Sequence, residues 1–103
     1  MNKAAGEVEF KVGSVSYDLK LSIENMIALE NEFNRNIVLI YSGYVGNTPP
    51  YYVVARVLSV MAGISQKEAV GVISTAGIGD TVIKTIEVIN QTISPEGIPK
   101  GEA

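Results

Sequence analysis

The sequence predicts an α+β fold, with an N-terminal two-stranded antiparallel β-hairpin packed against a small bundle of about four α-helices. Three patterns predict it. Apolar and polar residues alternate over the first two segments, and apolar residues then recur at helical spacing. Ser, Gly and Pro stand where the helices should begin and end. Strands come first and helices follow, an order that places the helices on one face of the hairpin.

In the first strand Val8, Phe10 and Val12 alternate with Glu7, Glu9 and Lys11. In the second, Val15, Tyr17, Leu19 and Leu21 alternate with Ser16, Asp18 and Lys20. Gly13-Ser14 suits a two-residue turn with Gly first. That turn sets Val12 opposite Val15, Phe10 opposite Tyr17, Glu9 opposite Asp18 and Val8 opposite Leu19, with every apolar side chain on one face. A lone hairpin is marginal, so helices must cover that face.

Ser22 is the expected N-cap of a helix from about Ile23 to Asn34. Ile23, Met26, Ile27, Leu29 and Phe33 form its apolar stripe, and Glu30 falls inside that stripe. Ile37 to Ser42 is a short apolar run of undecided type, and Ser42 to Pro50 reads as a loop. A second helix is expected from about Pro50 to Ala62, with Pro50 in its first turn and Gly63 ending it. It is apolar nearly all round, with Tyr52, Arg56 and Ser59 as a narrow polar stripe, so it should be buried.

Ser65 to Glu68 has the form of a capping box. The helix it opens should turn Ala69, Val70, Ile73 and Ala76 inward. Gly77 and Gly79 bracket a tight connection, after which Asp80 should cap a last helix carrying Val82, Ile86, Ile89 and Ile93. The expected organisation is one domain over residues 1–93 and a flexible tail over 94–103.

Composition removes several function classes. The chain has 103 residues, 47% hydrophobic and 18% charged, with a net charge of −3. Eight basic residues against eleven acidic ones are a poor basis for neutralising phosphates, so neither nucleic acid nor an anionic membrane is an expected partner. Met1 to Gly6 lack the apolar core of a signal peptide. Asn36 to Ala55 carries no charge, but Gly43, Gly46, Asn47, Thr48, Pro49 and Pro50 interrupt it, and the chain is read as soluble. With neither Cys nor His, it lacks thiolate chemistry and the usual neutral-pH base and metal ligand.

The carboxylates are not grouped as a metal set, and Glu30 and Glu32 project from different sides of their helix. Gly77-Ile78-Gly79 lacks the third glycine of a dinucleotide loop and the Lys of a phosphate loop. Nor is a base available to activate a Ser or Thr. No enzymatic activity, catalytic residue, metal or cofactor is expected.

The residues singled out are instead candidates for protein contact. Glu30 is either a carboxylate at the edge of the core, paired with Arg56 or a tyrosine hydroxyl, or a polar contact in an interface. Tyr41, Tyr44, Tyr51 and Tyr52 surround the central loop, where they either anchor it or form a patch for a partner. Gln66 to Ile89 has the outline of a helix-turn-helix. Its second helix carries Lys84 as its one basic residue and no Arg to read guanine, which disfavours a small DNA-binding regulator.

Two stretches together resemble a known family. The first runs from Gly6-Glu7-Val8-Glu9-Phe10 through Tyr17-Asp18-Leu19-Lys20-Leu21-Ser22 into Ala28-Leu29-Glu30. The second comprises Ile64-Ser65, Glu68-Ala69, Ile73, Ala76-Gly77 and the final helix. Over Gly6 to Ile93 the chain is similar to the small tail assembly chaperones of gene transfer agents and tailed phages, the group close to gene-transfer-agent tail protein ten. Val38 to Tyr52 departs from the pattern, being more aromatic and proline-broken.

The resemblance implies a bacteriophage, prophage or gene transfer agent protein of tail morphogenesis. Such a protein would work in the cytoplasm of the bacterial host and be absent from the mature particle. Its implied partners are the tape-measure protein and the tail-tube protein, and a homo-oligomer is a further way for so short a chain to cover apolar surface. The alternative is a structural tail-tube or tail-completion subunit, though tube subunits are built on larger β-sandwiches than this chain can supply.

Overall fold

The computed structural model describes residues 7–41, 44 and 47–93. It has the expected α+β architecture: β1 (Val8–Val12), β2 (Val15–Leu19), α1 (Ile23–Phe33), a short 3-10 helix (Ile37–Leu39), α2 (Tyr51–Ala62), α3 (Gln66–Ala76) and α4 (Ile78–Thr92). Residues 94–103, read as a tail, lie outside the described residues, as do four positions of the loop before α2.

β1 and β2 pair antiparallel in the expected register, from Val12 opposite Val15 to Val8 opposite Leu19. Gly13 has φ 61°, which suits the first position of a primed two-residue turn. Val8, Phe10, Val12 and Leu19 are buried and Tyr17 is partly so, but Val15 is half exposed. One member of the predicted apolar face, beside the turn, therefore meets solvent although Val12 opposite it is buried.

α2 is the centre of the molecule, packed against β2, α1, α3 and α4. Val54, Val57 and Leu58 are fully buried along it, as an all-round apolar helix requires. Pro50 stands at its N-cap, so the helix begins at Tyr51, one residue after the expected start. Ser59, expected on a polar stripe, is buried, because its hydroxyl donates to the Ile64 carbonyl at 2.6 Å. The N–H groups of Gly63 and Ile64 both bond to the Ser59 carbonyl, a Schellman-type end. Beyond it the Lys20 N–H donates to the Met61 carbonyl at 3.0 Å, joining the end of the hairpin to the end of α2.

α1 begins at Ser22, whose Oγ accepts the Asn25 N–H at 3.0 Å, and ends on Asn34 in the left-handed conformation. Of its predicted stripe only Leu29 is fully buried, while Met26 and Phe33 are partly so. α1 lies at the edge of the fold, and α2 covers a narrower band than the sequence offers.

α3 starts at Ser65, whose Oγ accepts the Glu68 N–H at 3.0 Å. The Glu68 carboxylate, which a full capping box would turn back, lies against the Tyr17 hydroxyl at 3.4 Å. Partial burial, then this carboxylate, raises the Tyr17 pKa above the usual tyrosine value. Ala69, Val72 and Ile73 face the core, and Val70, expected inside, is exposed.

α4 starts earlier than expected. Gly77 takes φ 95° and ψ 148° and both ends α3 and precedes α4. Asp80 lies in the first turn rather than at the cap. The two helices bend by 116° at this glycine. The inward face of α4 is Thr81, Thr85, Val88 and Ile89, whereas Ile86 is partly exposed and Ile83 largely so. Both threonines can be buried because their hydroxyls donate to their own helix, Thr81 to the Gly77 carbonyl and Thr85 to the Val82 carbonyl, each at 2.9 Å.

Candidate functional site

The first turn of α2, one side of α3 and the start of α4 meet around an open groove of about 620 Å³. Tyr51 and Tyr52 form one wall, Gln66, Val70, Ile73 and Ser74 another, and Gly77 and Ile78 close the end. None of these side chains is charged. Tyr51 and Tyr52 are 64% and 65% exposed and Val70 is 54% exposed, so large apolar surface stands in water there.

Local chemistry accounts for each wall. Pro50 fixes the start of α2, which puts the two tyrosines on its first turn, ahead of the buried run from Val53. Gln66, Val70 and Ser74 are four residues apart and share one side of α3, with Ile73 beside Ser74 and Gly77 following the helix three residues on. The bend at Gly77 brings Ile78 to the same place.

The predicted site residues do not form one cluster. Tyr51 and Tyr52 share the groove. Tyr41 turns its hydroxyl inward onto Thr85 at 2.9 Å. Burial pushes its pKa up to about 12, with the Thr85 hydrogen bond acting in the opposite sense. Tyr44 is partly buried, and its N–H bonds to the Tyr41 carbonyl at 3.0 Å.

Glu30 is not paired with Arg56 or with a tyrosine. Its Oε2 accepts the Ile37 N–H at 2.9 Å, which closes the turn between α1 and the 3-10 helix. Arg56 bonds Glu32 at 2.6 Å, with both side chains partly exposed. The helical wheel gave the correct side for Glu30. Its partner depends on the path of Asn34 to Ile37, which has no periodicity to read.

Val70, Ser74 and Ile78 were not predicted as site residues. The available signal was two adjacent tyrosines at the first turn of the most apolar helix, where the core needs only one side of the turn.

The groove offers apolar, hydroxyl and amide side chains. Among the described residues no group of three or more carboxylates could hold a metal ion. Among the same residues no single helix is long and apolar enough to cross a membrane. The bend between α3 and α4 falls in the range of helix-turn-helix motifs. In the recognition position, however, Lys84 lies 3.7 Å from Glu87 and Asp80 occupies the first turn, a poor face for phosphate. Set against protein-family models, curated proteins and solved structures, the chain matches none.

Proposed function

We propose that this chain works without catalysis, as a protein-binding domain that covers an apolar segment of its partner in the Tyr51–Tyr52 groove. The groove itself carries the reading. It is concave and uncharged, and it is walled by two exposed tyrosines, a residue type enriched among the anchors of protein interfaces. A helix laid in a groove is the mode such a surface suits.

The sequence resemblance over Gly6 to Ile93 to tail assembly chaperones supports a tape-measure protein as that partner. The place of action is then the cytoplasm of a bacterial host during phage or gene transfer agent tail morphogenesis. Tail-tube subunits would be recruited to the complex.

The test is co-expression of the tagged full chain with a tape-measure protein. The expected result is a soluble complex, lost with Tyr52→Ala combined with Val70→Ser while the variant stays folded by circular dichroism. A complex unaffected by that pair would remove the groove from the interface. Finding the chain built into finished tails would make it a structural subunit instead.

A further inference from the structure

A second surface, sharing no residue with the groove, has a different chemistry. On α1, Ile23 and Ile27 are 59% and 53% exposed. They lie one turn apart and form a short apolar strip on the helix surface. Helical geometry places Glu30 on one flank of that strip and Glu24 on the other. The bond from the Ile37 N–H fixes Glu30 at this margin.

α1 contains three glutamates and no Lys or Arg. Glu32 is taken up by Arg56 on a different side of the helix. Lys20 and Arg35 lie beyond the two helix ends, and the Arg35 guanidinium donates to the Leu39 carbonyl at 3.3 Å. The 3-10 helix, which packs on α1, adds Leu39 as a further half-exposed apolar side chain.

The strip is therefore an apolar seam with a carboxylate on either side and no cation on its helix. A second copy of α1 laid against it would set Glu24 and Glu30 against their own counterparts, which like-charge repulsion opposes. An anionic membrane is opposed in the same way. A cationic partner satisfies both the seam and its flanks.

We infer that the Ile23–Ile27 face of α1 docks a basic amphipathic helix of a partner protein. Apolar side chains of the partner, spaced three or four residues apart, lie on the isoleucines, and flanking Lys or Arg side chains meet Glu24 and Glu30. This goes beyond the groove reading and stands or falls apart from it.

The experiment uses two fluorescent helical peptides with one apolar face in common, one flanked by Lys and the other by Glu. Anisotropy is measured against the full chain at low and moderate salt. The Lys peptide binds in the micromolar range, weakens as salt rises, and weakens about tenfold or more with Ile23→Ser/Ile27→Ser. Glu24→Lys also weakens it, and the Glu peptide does not bind. Because both isoleucines are exposed, the double variant keeps its circular dichroism spectrum. Equal binding of the two peptides, no binding of either, or parent-like binding by the double variant overturns the inference. So does binding lost in Tyr52→Ala/Val70→Ser instead, or a dimer of the chain that the serine variant abolishes.

Discussion

Replacing Glu30 tests the polar contact that closes the turn between α1 and the 3-10 helix. Its carboxylate holds the Ile37 N–H at 2.9 Å in a partly buried turn. A hydrogen bond to a charged group contributes about 1.5–3 kcal/mol, and the amide left behind in Glu30→Ala has no replacement acceptor in place. Partial burial argues for the lower half of that range, about 2 kcal/mol. Unfolding entropy of about 2.1 cal/mol/K per residue near the midpoint, over 103 residues, makes 2 kcal/mol a fall of about 9 °C in Tm. Glu30→Gln keeps a carbonyl acceptor but loses the charge, so it should fall by less than half as much. Thermal melts followed by circular dichroism measure both.

A double-mutant cycle then separates the partners. Glu30→Ala and Arg56→Ala should add to within about 0.5 kcal/mol. Glu32→Ala and Arg56→Ala should couple by about 0.2–1 kcal/mol, the range for a partly exposed ion pair. Glu30→Ala melting with the parent, or stronger coupling of Arg56 to Glu30 than to Glu32, would refute the assignment.

Other outcomes follow from single features. Leu29→Ala should cost about 2–4 kcal/mol in urea unfolding, because Leu29 is fully buried, while Ile27→Ala should change stability by less than about 0.5 kcal/mol; equal effects would contradict the orientation of α1. Gly77→Ala should destabilise by about 1–3 kcal/mol through its positive φ alone, since no atom lies within 4 Å of the added Cβ; a neutral result in the same assay would contradict the bend. Tyr41 has its pKa raised on folding from about 10 to about 12. Its contribution to stability is therefore complete below the unfolded value and is lost as pH rises through the folded one. Tyr41→Phe should flatten the alkaline fall in stability over that window, and an unchanged slope would show that Tyr41 is not the group responsible.

The hairpin and α2 were legible in the sequence for physical reasons. Period two and a two-residue turn leave one register that buries Val8, Phe10 and Leu19. A helix as apolar as α2 has nowhere to go but the centre. The start of α4 was not legible, because Gly77 shapes the junction with its backbone while Asp80 imitates a cap. Thr81 and Thr85 read as polar, yet each returns its hydroxyl to its own helix and enters the core. Ile23 and Ile27 read as core because periodicity shows where apolar residues lie, not how wide a band the neighbour covers. Tyr51 and Tyr52 could be named from sequence, but their groove could not, since its far wall belongs to α3 and α4.

The bond from the Lys20 N–H to the Met61 carbonyl makes one amide a reporter of how the layers assemble. Met61 lies in the last turn of α2, where carbonyls have no partner within the helix. Lys20 follows the last residue of β2, so its amide finds no acceptor across the hairpin. Each group therefore waits for the other, and a hairpin formed alone leaves the Lys20 amide open to solvent. In native-state hydrogen exchange, that amide should exchange as slowly as the core of α2 if sheet and helices open as one cooperative unit. Exchange faster than that of Leu58, under the same conditions, would place the hairpin in a separate unit that lifts from the bundle before the bundle itself unfolds.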